Sequence, residues 1–557
     1  MNAKHLPDGS LSRAEFQADV KESSLLLSGL WLFGVVLVTF VVLWPFWAGI
    51  TAVCDDFLYV RQHPGDGLLA DLAFYWHQMF FRPVDILAGR QVDRLTLDAR
   101  WALLMHLPAL VAMGAGLWVI CRRLCPSSRL VFPAALCWLM LHSATSISLW
   151  QPDIAAQTWC AAIGTWVAII LWDALERDRP LWSHWVSVTA LCVVGELAKE
   201  NFAGVCAAAI AIILLAWLFV PNRKRHVLLT IPFIIVPSLW LALRWTLGGM
   251  SQGLAHQPLY QPHLANVIPN LRFIVAGWFA AGPNHLLFRP HTATVLRLVP
   301  VAAIAVAGIV SLLPWLLTWR YGAVWPERPS PRSVLGLALF FVLSVSAGLP
   351  RDHVSEHYLF GPNIGAALIV AVGWSGLLAL GRAARPDRKA QQIPGNLEGS
   401  KLASPSLQIR AVDVSESLEQ SRMVIRPWRA PRLGAAILGV IILACGLFGL
   451  ASRADHFRNT WRCGQILNHD VLEHLTALPP GQRVVRFIWA ERCESGYSYC
   501  TYLVTPALIL PLELNFPWLK SRFPGIGMEV LHGVPADAGR PGDMILDGHD
   551  LPPQPAW

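Results

Sequence analysis

The chain has 557 residues, of which 55% are hydrophobic and only 14% charged, against roughly 25% charged in a soluble globular protein. With a mean hydropathy of +0.47, this composition excludes an ordinary soluble domain. The net charge of +8 does not point to nucleic acid, because most of the excess lies in loops between apolar segments, where membrane topology accounts for it.

In chain order, residues 1–24 mix both charge signs and lack a signal-peptide apolar core, which reads as a short cytoplasmic tail. Apolar runs long enough to cross a bilayer, ~17–25 residues, follow near 25–46, 102–121, 130–149, 155–172, 181–197, 202–220 and 227–245. Four more lie near 296–319, 333–349, 361–380 and 433–451. A weaker segment, 266–281, contains Pro269, Asn270 and Arg272 and reads as re-entrant or interfacial. Counting eleven spans with the N-terminus inside puts Arg122, Arg123 and Arg129, then Arg177 and Arg179, then Arg223, Lys224 and Arg225 on the cytoplasmic side, as the positive-inside rule requires. A twelfth span at 266–281 would invert every later loop and carry the Arg-rich stretch 382–432 outside. That stretch, rich in Gly, Pro, Ser and Gln, is expected to be a flexible basic cytoplasmic loop. The 26 tryptophans suit rings seated at headgroup depth. The fold class expected is therefore mainly α and polytopic, with about eleven transmembrane helices. A helical first outer loop (51–101) and a small α/β extracytoplasmic domain (452–557) complete it, and the location expected is a cytoplasmic (inner) membrane.

Of the 11 cysteines, Cys54, Cys463, Cys493 and Cys500 fall outside on this topology, where disulfides persist. Cys493 and Cys500, flanking 494–499, are the disulfide candidates, with Cys463 an alternative partner. No CxxC or clustered Cys/His spacing indicates zinc.

The first outer loop carries the chemistry. It is far longer than an ordinary connection, and 68–81 alternates apolar and aromatic groups with Asp71, His77 and Gln78, as an amphipathic surface helix does. Arg82-Pro83 stops that helix, and 84–97 has a second helical pattern. Just after the first span come Asp55 and Asp56. Adjacent carboxylates at a membrane face repel one another and are costly to desolvate, which raises the pKa of at least one. Such a group is suited to general-base work on a hydroxyl; the plainer reading is that the pair caps a helix end. Topology brings further polar residues to the same face: Arg82, His106, His142, Asp153, Lys199, Glu200, Asn201, Arg351, Asp352, His353, Glu356 and His357. Carboxylates with several cations suit a hydroxyl attacker and an anionic phosphate leaving group. The adjacent aspartates are also a potential Mg²⁺ or Mn²⁺ site, although no third ligand is identifiable.

The order Asp55-Asp56, Phe81-Arg82-Pro83, Arg100-Trp101…His106, Leu141-His142…Trp150, Leu197-Ala198-Lys199-Glu200 and His357-Tyr358-Leu359-Phe360-Gly361-Pro362 resembles the GT-C superfamily of polytopic glycosyltransferases. The likeness is to its protein O-mannosyltransferase and aminoarabinose transferase branch, and it covers roughly 25–380. It implies a GT-C-like transmembrane catalytic domain (25–381) and an inverting transfer of a sugar from a polyprenyl-phosphate donor to a glycan, lipid or protein hydroxyl. Asp55 would be the general base with Asp56 assisting. Arg82 would contact the lipid phosphate, and Lys199, Glu200, His106, His142, Arg351, His357 and Tyr358 would be further substrate contacts. The chain departs from the family in reading His357-Tyr358 where relatives read Arg-Tyr, and in lacking a tetratricopeptide array. Two rival readings are an O-antigen polymerase or ligase, which usually places its large outer loop late, and a lipid-linked sugar flippase. The latter predicts repeats and ionisable groups near mid-span rather than at one face.

Overall fold

A computed structural model describes residues 67–77, 81–91, 100–126, 130–142, 155–219, 224–249, 263–278, 308–320, 328–350, 356–383, 433–440, 471–479, 484–490, 523–534 and 542–546, with isolated positions between. It is mostly helical. Two short helices, α1 (Leu68–Trp76) and α2 (Pro83–Gly89), in the stretch expected to be the first outer loop, precede a helical turn, Arg100–Leu103, and α3 (His106–Leu124). Then come α4 (Val131–Leu141), α5 (Ala155–Glu176), α6 (Trp182–Ala198), α7 (Ala203–Phe219), α8 (Thr230–Thr246) and α9 (Val267–Trp278). After α10 (308–320), α11 (Pro331–Leu343) and α12 (Phe360–Ala383) complete the bundle.

Among the described residues, six helical stretches are long and apolar enough to cross a membrane: Arg100–Leu124, Ala155–Glu176, Glu200–Phe219, His226–Thr246, Pro331–Gly348 and Phe360–Leu380. These make the chain a helical membrane protein. Of the other expected spans, 130–149 is described as an 11-residue helix, 181–197 as 17 residues of α6 and 296–319 as α10. Those at 25–46 and 433–451 lie largely outside the described residues. Within 266–281, Val267–Trp278 forms α9, whose 12 described residues cover, at 1.5 Å each, less than a bilayer core.

Burial sorts the helices. The spanning parts of α5 and α12 are 67% and 72% buried, that of α8 only 28%. α5 and α12 therefore form the centre, and their alanines and glycines let neighbours approach closely, as is usual where no water drives helices together. On α8 the side chains of Ile234, Ile235, Leu239, Leu241, Leu243 and Trp245 stand exposed. An apolar face of that extent belongs in lipid.

The outer-loop helices differ in extent from the sequence expectation. The first closes at Trp76, with Phe81 and Arg82 already non-helical. Its end is fixed from elsewhere: the Trp76 carbonyl accepts the Gly249 N–H at 3.2 Å and a bond from the Arg244 guanidinium, while Trp76 Nε1 donates to the Leu247 carbonyl at 3.0 Å. Pro83 opens the second helix rather than ending the first, at a position where its missing N–H costs nothing. That second helix ends at Gly89, and 92–99 lies outside the described residues.

Towards the C-terminus, β1 (Val484–Ala490), β2 (Gly527–Val534) and β3 (Met544–Leu546) form a parallel sheet in the order β2-β1-β3. Arg486 Nε on β1 donates to Asp543 Oδ1 at 3.0 Å, just before β3. All three strands lie within 452–557, the stretch expected to form a small α/β domain.

Candidate functional site

The site is assembled where α6 breaks. Its last residue, Ala198, is followed by Lys199 in extended backbone (φ −161°, ψ 138°), then by a single 3-10 turn, Glu200–Phe202, leading into α7. Two glycines make the break compact. Gly195 receives the Phe202 ring so closely that a Cβ there would collide with it, and Gly204 lies against the Ser344 carbonyl oxygen after α11. The chain thus turns sharply between two apolar helices and presents three consecutive polar side chains to the interior, which irregular membrane backbone does only where it lines protein or a cavity.

Arg82 reaches this break from the outer loop. Its Nε donates to Glu200 Oε2 at 2.9 Å and a terminal nitrogen donates to the other carboxylate oxygen, a bidentate pairing. Arg82 Nη1 also lies 3.8 Å from Asp85 Oδ2. Asp85, in the first turn of α2, is fully buried, and its Oδ1 accepts the Ala156 N–H at 2.9 Å. One carboxylate therefore caps the N-terminus of α5, where an anion is favoured, and docks the outer loop on the bundle. Burial pushes its carboxyl up to about 7; Glu200 adds to the rise, while Arg82, Lys199 and the Ala156 N–H oppose it. The next-door pair Asp71 and Arg90 ties α1 to the turn after α2.

Lys199 is the least expected feature. It is 2% exposed, and among the described residues no carboxylate lies within ion-pair distance of its ammonium. Its Nζ stands 6.0 Å from the centroid of the Tyr358 ring, a weak compensation for an ammonium removed from water. Tyr358 also lines, with Gln157 and Asn201, a cavity with about 30 Å³ of space for water.

The structure brings together Arg82, Lys199, Glu200 and Tyr358. His106, the first residue of α3, pairs through Nδ1 with Thr158 Oγ1 at 2.9 Å, one residue from Gln157. His142 is buried at the end of α4 with its ring 6.1 Å from that of Trp138, whose indole donates to Asn363 Oδ1 of α12 at 2.9 Å. His357 belongs to the short turn that carries Tyr358. Asp55, Asp56, Asp153, Arg351, Asp352, His353, Cys54, Cys463, Cys493 and Cys500 lie outside the described residues. Among the described residues, no group of three or more His, Cys, Asp or Glu is placed to hold a metal ion.

Asp85, Gln157 and Glu196 belong to the same neighbourhood and escape a reading of the sequence by motif. Glu196 is buried within α6, 3.9 Å from the Cys206 sulfur. Asp85 does carry a signal, since it stands three residues after Arg82 and thus on its side of a helix. The signal at Gln157 is a lone amide between alanine and threonine in an otherwise apolar span.

The arrangement can hold an anion. Two buried cations, Arg82 and Lys199, converge with Glu200, while Asp85 is partly protonated near neutral pH. Comparison with protein-family models, with curated proteins and with solved structures returns no match for this chain.

Proposed function

We propose that the chain is an inverting glycosyltransferase that moves a sugar from a polyprenyl-phosphate donor to a hydroxyl acceptor. The observation that carries this reading is Lys199, an ammonium buried beside a break between two apolar helices with no carboxylate partner among the described residues. A buried, unpaired charge is costly in the resting protein. A phosphate monoester or diester arriving from the lipid relieves that cost, and an intramembrane ionisable group usually marks such a substrate path. The resemblance to GT-C enzymes supplies the rest.

In this reading the acceptor oxygen attacks the anomeric carbon from the side opposite the phosphate. Asp55 takes the hydroxyl proton, the bond from the anomeric carbon to the phosphate oxygen breaks, and polyprenyl phosphate leaves with the electron pair. Lys199 neutralises the charge that grows on the leaving oxygen, and Arg82, held by Glu200, frames the same anion. The flippase reading finds less support, since transport would exploit ionisable groups near mid-span, whereas Arg82, Asp85, Lys199 and Glu200 gather at the ends of α2, α5 and α6.

The test is transfer by the purified chain in lipid nanodiscs, read as release of polyprenyl phosphate from polyprenyl phosphosugars. Lys199→Met is expected to lower the rate by about 10²–10³-fold, the usual cost of deleting one group that meets developing charge. Asp55→Asn is expected to abolish transfer while donor binding persists. Full turnover in both variants refutes the assignment.

A further inference from the structure

Gln157 on α5 and Asn201, two residues after Lys199 in the turn before α7, face the same small cavity, with Cys160, Ser344, Tyr358 and Gly361 among its other walls. Gln157 is 8% and Asn201 7% exposed. Among the described residues, three of their atoms, Gln157 Oε1 and Asn201 Nδ2 and Oδ1, find no hydrogen-bond partner, and all three are shielded from solvent. Buried amides are nearly always satisfied, so two unsatisfied amides from different parts of the chain, sharing one cavity, mark a place built for a guest.

The chemistry of that guest can be read from the walls. Whichever way the Asn201 amide is turned, it offers one donor and one acceptor, and Gln157 adds an acceptor. The Ser344 hydroxyl spends its proton on the Phe341 carbonyl at 2.6 Å, which leaves its oxygen as a further acceptor. No lining residue carries a formal charge. Groups that both donate and accept, and carry no charge, fit this set; hydroxyls do, whereas a carboxylate would meet acceptor oxygens and an ammonium would find no counter-charge. About 30 Å³ of space accommodates about two oxygen-sized groups, so one edge of a sugar ring enters rather than the whole ring. Tyr358, which lines the cavity and stands 6.0 Å from the Lys199 ammonium, and the Lys199–Asn201 turn link the two.

We propose that the Gln157–Asn201 cavity is the subsite for a pair of neutral hydroxyls on the donor's sugar, which makes the transferred sugar a neutral one, neither a uronic acid nor an amino sugar at that edge. This rests on the lipid-phosphosugar reading of the site above.

The experiment uses the full chain in nanodiscs and measures affinity for bare polyprenyl phosphate, for its phosphoglucose, phosphomannose and phosphoarabinose, and for its phosphoglucuronate. At least one neutral sugar is expected to bind about tenfold tighter than the bare lipid phosphate, and the glucuronate no tighter than it. Gln157→Met and Asn201→Leu are expected to lose the tenfold gain, to keep the affinity for bare polyprenyl phosphate, and to unfold at an equal or higher temperature. An amide with unsatisfied atoms stabilises the empty protein less than an apolar group of similar shape. If bare lipid phosphate binds but none of the neutral sugars adds affinity, the subsite is refuted and the phosphate site stands. If both variants unfold at lower temperature and bind every lipid as before, the amides hold structural water and the subsite is likewise refuted. If bare polyprenyl phosphate fails to bind the unaltered chain, the lipid-phosphosugar reading falls and takes the subsite with it.

Discussion

Asp85→Asn isolates the carboxylate by which α2 docks on the N-terminus of α5. Asp85 is fully buried and titrates near about 7 instead of 3.8, so between these values the native chain holds a proton that the unfolded chain has released. The stability attached to that proton is fully present below about pH 4 and is lost as pH rises through about 7. Between about pH 5 and about pH 8 the loss from this single group works out at about 2–3 kcal/mol. Asparagine keeps an oxygen for the Ala156 N–H, now 2.9 Å from Asp85 Oδ1, but does not titrate. The assay is thermal unfolding of both proteins in the same detergent across that pH range. The unaltered chain should lose stability towards alkaline pH by more than the variant does, and the two curves should converge in acid, where both side chains are neutral. Parallel curves at all pH values would mean that Asp85 is ionised throughout, held by Arg82, and that its burial is fully compensated.

Two further outcomes test the packing of the site. Arg82→Met leaves the buried Asp85 and the part-buried Glu200 without their shared cation and is expected to cost about 2–4 kcal/mol; adding Glu200→Gln should return a large part of it in a double-mutant cycle, and strictly additive losses refute the coupling seen in the bidentate pair. Gly204→Ala drives a Cβ into the Ser344 carbonyl and is expected to lower stability by about 1–3 kcal/mol, read by thermal unfolding. The same change at Gly336, where nothing lies within 4 Å, should leave it unaltered or raised, and equal losses at both positions would remove close approach as the cause.

What is legible in the sequence follows from range. Apolar runs declare spans because a helix satisfies its backbone within the run itself, so α3, α5, α7, α8, α11 and α12 announce themselves by composition alone. Arg82, Lys199 and Glu200 stand out as a group because the topology expected from the apolar runs puts them at one face. The end of α1 does not: its Trp76 carbonyl takes its partners from Arg244 and Gly249, and no local signal at 77–81 announces residues so far along the chain. Asp85 shows the same limit more sharply. By itself an acid in the first turn after a proline is an ordinary, solvated helix start. It becomes a buried, proton-holding strut only because the N-terminus of α5, 71 residues on, comes down upon it. Gln157 reads alone as a tolerated polar residue in an apolar helix, and its meaning depends on a cavity closed by Asn201 and Tyr358. The residues that local pattern conceals are thus the ones at which the outer loop, α5 and the α6–α7 break meet. A site formed by such convergence is defined by which polar atoms remain unsatisfied after folding, and that property has no signature in any single segment.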